Sequence, residues 1–418
     1  MRSVAIIGGG PAGAHAAHRL RGAGFEVTLF EPKTRFEKAC GGGIPARGIQ
    51  AYPFLDDPRL PARKIQRCRI LSPSGAESLV RLDDPLLIFS RADLHAFLLR
   101  RAVEAGALLH VARVTGFDRG AGGWSLSVAT TEGKPASQGP FDFLVAADGA
   151  SGCARRRLVP DLKHDGLAQG IGYFVPGLFE PEITLKFFRG LEGYLWIFPR
   201  PDHASAGICG RLGATSADSL RAMMDGFLRA RYGGEVLRGC GRYSALIPGA
   251  PREPGRLILS GAGWAAIGDA GRCVDPLTRE GIYFALRSAD CLADALQRGR
   301  PEEYATNLAR DPGRELAWAA RHSAGFHDPR FIDRLVALCG RSPRAAAILA
   351  DMINGRQPYR SLKRRLLMAA PAIGWQVLRS RRRRAAGAGV TRVRDSRSID
   401  RSGDDSDGGR SSSPVHDS

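Results

Sequence analysis

The sequence predicts an α/β protein: a Rossmann-like, three-layer ββα dinucleotide-binding domain, an inserted antiparallel-sheet domain and a helical C-terminal region. Three observations carry this reading. The β-branched run Ser3-Val4-Ala5-Ile6-Ile7 feeds straight into Gly8-Gly9-Gly10-Pro11-Ala12-Gly13. From 168 to 250 the chain changes to short alternating runs broken by Gly and Pro, the texture of antiparallel strands. From 282 onward apolar residues recur at helical spacing.

The first unit reads strand, glycine turn, helix, strand, acid. Gly8 allows the tight turn, Gly10 lets backbone N–H groups approach a pyrophosphate, and Gly13 lets the helix pack close to the sheet. After Pro11-Ala12-Gly13 the stretch Ala14 to Leu20 reads as helix. The second strand, Phe25 to Phe30, ends on Glu31, placed to accept hydrogen bonds from a ribose.

Composition sets the outer limits. The 418 residues suffice for two or three domains, and 44% hydrophobic content is ordinary for a globular chain. The chain opens on a strand the fold needs, so no cleavable signal is expected ahead of it. No apolar run approaches the ~20 residues of a spanning helix. Eight scattered cysteines without a CxxC pair argue against a zinc site and for a cytoplasmic setting. The net charge of +19 favours acidic partners such as phosphates or anionic lipid. No motif supports nucleic acid, and none is expected as a partner.

Further on comes Lys38-Ala39-Cys40-Gly41-Gly42-Gly43, a loop with unusual backbone angles or a flexible connector. This stretch resembles the Lys-Pro-Cys-Gly-Gly loop of the geranylgeranyl reductase family of flavoproteins, within the group A flavoprotein hydroxylase-like superfamily. Ala39 stands where that family has Pro. The resemblance implies FAD, bound non-covalently, with Cys40 near the flavin; the alternative for Cys40 is a small buried apolar side chain. Residues 50–90 look irregular, with strand-like pieces at 67–72 and 78–82. A helix follows from Ser90 or Asp93 through Val103, then a strand at 108–114. Arg91 resembles the Arg that contacts the FAD pyrophosphate region in the superfamily; a solvated surface Arg is the alternative.

Two more stretches carry the likeness. Phe141 to Ser151, with Ala147-Asp148-Gly149, resembles the second flavin fingerprint, where Asp148 orients FAD and neighbouring loops. Ala265 to Ile282 resembles the third, with Gly268-Asp269 after a strand and a helix starting near Glu280. Arg272 and Arg279 occupy later glycine positions of the family pattern, and a positive φ at either would disfavour Arg. Arg279 is expected to add positive charge near the flavin N1/O2 edge and raise its potential. The implied cofactor set is Gly8, Gly10, Pro11, Ala12, Gly13, Glu31, Cys40, Gly41, Gly42, Arg91, Val114, Asp148, Gly149, Gly268, Asp269, Pro276, Arg279, Gly281 and Ile282.

Gly193 to Pro199 looks like the family's Tyr-x-Trp-x-Phe-Pro strand. Period-two alternation puts Tyr194, Trp196 and Phe198 on one face. With Pro199 they are candidates to line a pocket for a hydrophobic small molecule; the other reading is the aromatic core of the sheet.

The expected domains are 1–165 with 250–300 for FAD (part of the substrate region lying at 50–90), 166–249 for the substrate, a helical 301–384, and a disordered tail 385–418. Within 360–384, cations flank an apolar middle containing Pro371, expected to break or kink a helix. This segment reads either as a peripheral contact with anionic membrane, on the inner face of the cell membrane, or as a docked terminal helix.

The function implied is FAD-dependent reduction of C=C bonds in a prenyl lipid, with NADPH or NADH as donor and Cys40 and Tyr194 as candidate proton donors. Two alternatives stand beside it. One is an FAD-dependent monooxygenase acting on an aromatic or polyketide-like substrate. The other is a non-catalytic basic lipid- or nucleic-acid-binding protein with structural FAD. A halogenase lacks support, because neither a Trp-x-Trp-x-x-Pro stretch nor a clear catalytic lysine is present.

Overall fold

The computed structural model describes residues 2–130, 135–159, 166–250 and 258–391. Its spine is a six-stranded sheet ordered Ser260–Gly261, Trp264–Ala266, Phe143–Ala146, Ser3–Ile7, Glu26–Phe30 and Leu108–His110. All pairs are parallel except that of the edge strand Ser260–Gly261. Parallel strands are buried on both faces, which explains why Val4, Ala5 and Ile6 are all fully buried. The helices Pro11–Gly22, Arg91–Glu104 and Ile282–Gln297 pack together on one face. The three-stranded sheet Ala112–Gly120, Gly123–Thr130 and Pro135–Phe141 supplies Phe117, Trp124 and Leu126 to the core that covers Ala5 and Ile7 on the other.

A second sheet has eight strands, in the order Gly241–Pro248, Leu167–Pro176, His203–Arg211, Leu195–Pro199, Ile183–Lys186, Ala62–Leu71, Glu77–Phe89 and Gly43–Ile44. It is antiparallel except where Ile183–Lys186 runs parallel to Ala62–Leu71. The stretch expected to be irregular at 50–90 is instead two long strands that complete this sheet. Pro85 is accommodated near a break in register between Ile65 and Arg67 on the partner strand, where a missing N–H costs least. The single strand expected at 108–114 divides after His110, so that its two parts join different sheets.

The expected helical region from 301 opens with two helices, Glu303–Arg310 and Gly313–Phe326. Pro312 has no N–H to continue the first and caps the second. Pro329–Cys339 and Pro343–Ile353 follow, with Asp328 and Ser342 accepting from their first-turn N–H groups. The last helix, Tyr359–Thr391, runs through Pro371 without ending. Leu367 and Pro371 are both exposed, so the carbonyl that Pro371 cannot bond lies on the solvent side of the helix. Residues 385–391 continue this helix, and the rest of the expected tail lies outside the described residues.

Candidate active site

The glycine turn is built as its spacing requires. Gly8 has φ +103°, and a Cβ on Gly13 would collide with the Gly8 carbonyl. Gly10 heads the first helix with open space where a side chain would be. Glu31 accepts from the Gly9 N–H at 2.8 Å, which fastens the second strand to the turn.

Gly10, Pro11 and Ala12 form one end of a cavity of about 470 Å³. Cys40, Gly41, Gly42, Arg91, Gly149, Asp269, Arg279, Gly281 and Ile282 line it too, and so do Tyr194, Trp196 and Phe198. The alternation from Tyr194 into strand Leu195–Pro199 brings all three aromatic residues to the lining. Gly8, Gly13, Glu31, Val114, Asp148, Gly268, Pro276 and Pro199 lie outside the lining. Several of them hold the wall from behind. Asp148 accepts from Ala154 N at 2.7 Å and Arg155 N at 3.2 Å, fixing the start of a short helix. Burial pushes its carboxyl up, against those two bonds. Gly268 has φ +60°, and a Cβ there would meet Ala12.

The Cys40 loop is held by groups that the sequence did not single out. The Glu37 carboxylate accepts from Ser90 Oγ and from the Arg91 and Ala92 N–H groups at the head of helix Arg91–Glu104. Arg200, fully buried, donates to Glu37 and to the Cys40 and Gly41 carbonyls. The Phe198 ring lies where a Cβ on Gly41 would be. Burial pushes the Cys40 thiol up, but Arg91, the Gly42 N–H and Arg200 outweigh it and hold the thiol below its usual range. Asp269 likewise stays below the usual carboxylate range despite burial, because Lys38 Nζ lies 2.6 Å away.

Arg272 and Arg279 both adopt the left-handed region, at φ 56° and 58°, the only described non-glycine residues to do so. This backbone costs an L-residue about 1 kcal/mol. Arg272 is 2% exposed and its Nε donates to the Gly249 carbonyl at 3.2 Å. Arg279 Nε is buried without a hydrogen-bond partner, and the residue lines the cavity. Beside it the Tyr194 hydroxyl donates to the Thr278 carbonyl. Burial raises the Tyr194 pKa far above its ordinary value, so the hydroxyl stays protonated.

The far end of the cavity is apolar and has two sides. Ile70, Leu86, Ile183, Leu185 and Phe187 come from the eight-stranded sheet and its connections. Phe326, Ile332, Leu335, Val336, Leu349 and Met352 come from the C-terminal helices. The helical periodicity of 329–353 was legible; that its apolar face closes a cavity was not.

The glycine turn fits a dinucleotide on physical grounds. Space is open above Gly10, and Arg91 Nε is buried without a partner beside the same cavity. The pyridine nucleotide-disulphide oxidoreductase family matches residues 2–152. The digeranylgeranylglycerophospholipid reductase of Methanoculleus marisnigri is 32% identical over 307 residues, covering 68% of this chain and 73% of its own. The chain belongs to the geranylgeranyl reductase family. The geranylgeranyl diphosphate reductase of Synechocystis sp. is 28% identical over 322 residues, 70% of this chain and 74% of its own. A geranylgeranyl bacteriochlorophyll reductase-like structure from Thermoplasma acidophilum superposes with a TM-score of 0.66 at 18% identity, covering 88% of this chain and 99% of that one; this likeness is one of fold. As a member of the family the chain is an FAD-dependent oxidoreductase that takes a small hydrophobic molecule as substrate. No described helix is long and apolar enough to cross a membrane.

Proposed function

We propose that this chain reduces C=C bonds of a prenyl lipid, with NADPH or NADH as electron donor. The observation that carries the reading is the continuous cavity, which begins at the glycine turn and ends between the apolar sheet and helices 326–353. FAD, when bound and reduced, supplies the hydride. Gly10, Pro11, Ala12, Arg91, Gly149, Asp269, Gly281 and Ile282 are the residues we assign to hold it.

An isolated alkene is unactivated, so the protein must supply position, dryness and a proton. Ile183, Leu185, Phe187, Leu335 and Met352 exclude water and orient the chain. Trp196 and Phe198 press it toward the Cys40 loop. The hydride goes to one carbon of the double bond and a proton to the other. Tyr194 and Cys40 stay the two candidate donors: burial keeps the Tyr194 proton on its hydroxyl and makes that hydroxyl a weaker acid. Cys40, held below its ordinary range, is the stronger acid of the two and, once ionised, contributes charge at the wall. We place the protein in the cytoplasm, with segment 360–384 in peripheral contact with the inner face of the cell membrane.

The test uses FAD-loaded protein, reduced without oxygen and mixed with a geranylgeranyl lipid. Anaerobic reoxidation, with two hydrogens added per double bond of the product, supports the reading. Turnover only in the presence of oxygen, with an oxygen atom gained by the product, overturns it in favour of a monooxygenase.

A further inference from the structure

We propose that the outward stripe of the last helix docks on an anionic bilayer and brings the mouth of the cavity to the membrane. The proposal rests on the reductase reading only for what passes through that mouth. Helix Tyr359–Thr391 turns Ala369 inward at 4% exposed. On the protein side Gln376 accepts from Ser342 Oγ, and Arg365 donates to Asp351 and Gln357. The opposite side carries Leu367 at 67% exposed, Met368 at 75%, and Trp375 and Leu378 at 60% each. Leu367, Pro371, Trp375 and Leu378 follow at helical spacing and form one stripe.

Cations frame the stripe. Arg360, Lys363 and Arg364 precede it, and Arg379 and Arg382 follow, all exposed and none in an ion pair with a described residue. The Arg379 guanidinium lies 5.1 Å from the centre of the Trp375 ring. Between Asp351 and Asp395 the sequence has no acidic residue. An apolar stripe bordered by cations and free of acids matches the interfacial zone of a bilayer: rings and aliphatic chains enter the acyl boundary, and cations meet headgroup phosphates. A nucleic-acid backbone would satisfy the cations alone and leave Leu367 and Leu378 in water.

The stripe stands close to the cavity. Pro358 and Thr278 line the cavity and are exposed, so it opens there. The helix begins at the next residue, Tyr359. At 1.5 Å per residue, Leu367 lies about 12 Å along the axis from this mouth. Docking by the stripe therefore shortens the path of a lipid chain from bilayer to cavity.

The experiment is cosedimentation of the FAD-loaded full chain with phosphatidylcholine vesicles, with and without phosphatidylglycerol. Binding is expected only with the anionic lipid, falling as salt rises. Lys363→Glu with Arg364→Glu should weaken it at least about twentyfold, at about fivefold per cation lost. Leu367→Ser with Trp375→Ser should weaken it while leaving turnover of a short, water-soluble prenyl diphosphate unchanged. Equal binding to both vesicle types, unchanged binding by both variants, or a preference for duplex DNA over anionic vesicles overturns the proposal. Cosedimentation needs no turnover, so a failed reductase assay leaves this result readable.

Discussion

Buried Arg200 and half-buried Glu37 form an ion pair across the base of the Cys40 loop, and the same guanidinium holds the Cys40 and Gly41 carbonyls. One cation thereby fixes the start of helix Arg91–Glu104, through Glu37, and the conformation of the loop that lines the cavity.

Arg200→Met should cost about 3–5 kcal/mol of stability, because it leaves the Glu37 carboxylate part-buried without its cation. Denaturant unfolding of the two proteins measures this. The pH dependence has a definite sign. Burial pushes Glu37 up, but Arg200, Ser90 and two backbone N–H groups bring it below its ordinary value. Its contribution is therefore present above the unfolded carboxylate pKa and is lost as pH falls through the lower folded value. The stability gap between wild type and Glu37→Gln should close on acidification.

Cys40 should be the first cysteine alkylated as pH rises. Burial instead raises the Cys153 and Cys240 thiols, and those of Cys291 and Cys339 to about 11. Iodoacetamide labelling read by peptide mass checks the order. Arg91→Met removes the largest charge that favours the thiolate and should move the Cys40 midpoint upward; an unmoved midpoint separates Arg91 from the thiol.

Tyr194→Phe removes one hydrogen bond to a backbone carbonyl, worth about 1 kcal/mol of stability. If the hydroxyl delivers the proton, kcat should fall about 100-fold or more. A loss of stability alone, with kcat intact, would make Tyr194 a wall residue.

Arg279→Gly relieves a left-handed backbone and should leave stability equal or higher by about 1 kcal/mol. Reduction adds negative charge to a flavin, and a cation in the same cavity favours that state. Potentiometry of the flavin should therefore show a lower midpoint in the variant. An unchanged midpoint would detach Arg279 from the flavin.

Leu335→Trp fills the apolar end of the cavity from the helical side. KM for a long prenyl substrate should rise about tenfold or more, while a short-chain analogue keeps its wild-type KM. Steady-state kinetics on the two substrates decide it.

The parts of this fold that local pattern controls were legible before the coordinates. Gly8 and Gly13 announce their turn because a side chain at either would be strained or would collide, while Gly10 leaves the space above the helix start open, and Tyr194, Trp196 and Phe198 share a face because strands alternate. Other parts depend on contacts across the chain. A buried Arg200 has the same letter as a solvated one, and its partner Glu37 lies 163 residues away. Strand Glu77–Phe89 was read short because Pro85 signals a break, which the neighbouring register shift absorbs. The face of Ile332, Leu335 and Met352 was visible as periodicity, but nothing local says that it closes over a cavity.

The parallel pairing of Ile183–Lys186 with Ala62–Leu71 has a consequence for synthesis. At ribosomal speeds of about 5–20 residues per second, the hairpin 62–89 waits roughly 5–20 seconds for its neighbouring strand to be made. Throughout that interval one of its edges offers unpaired backbone groups to any passing strand. The nascent chain is thus most vulnerable to misassociation before its second hundred residues are complete, and production at high level should benefit from slower translation or from chaperones that cover strand edges.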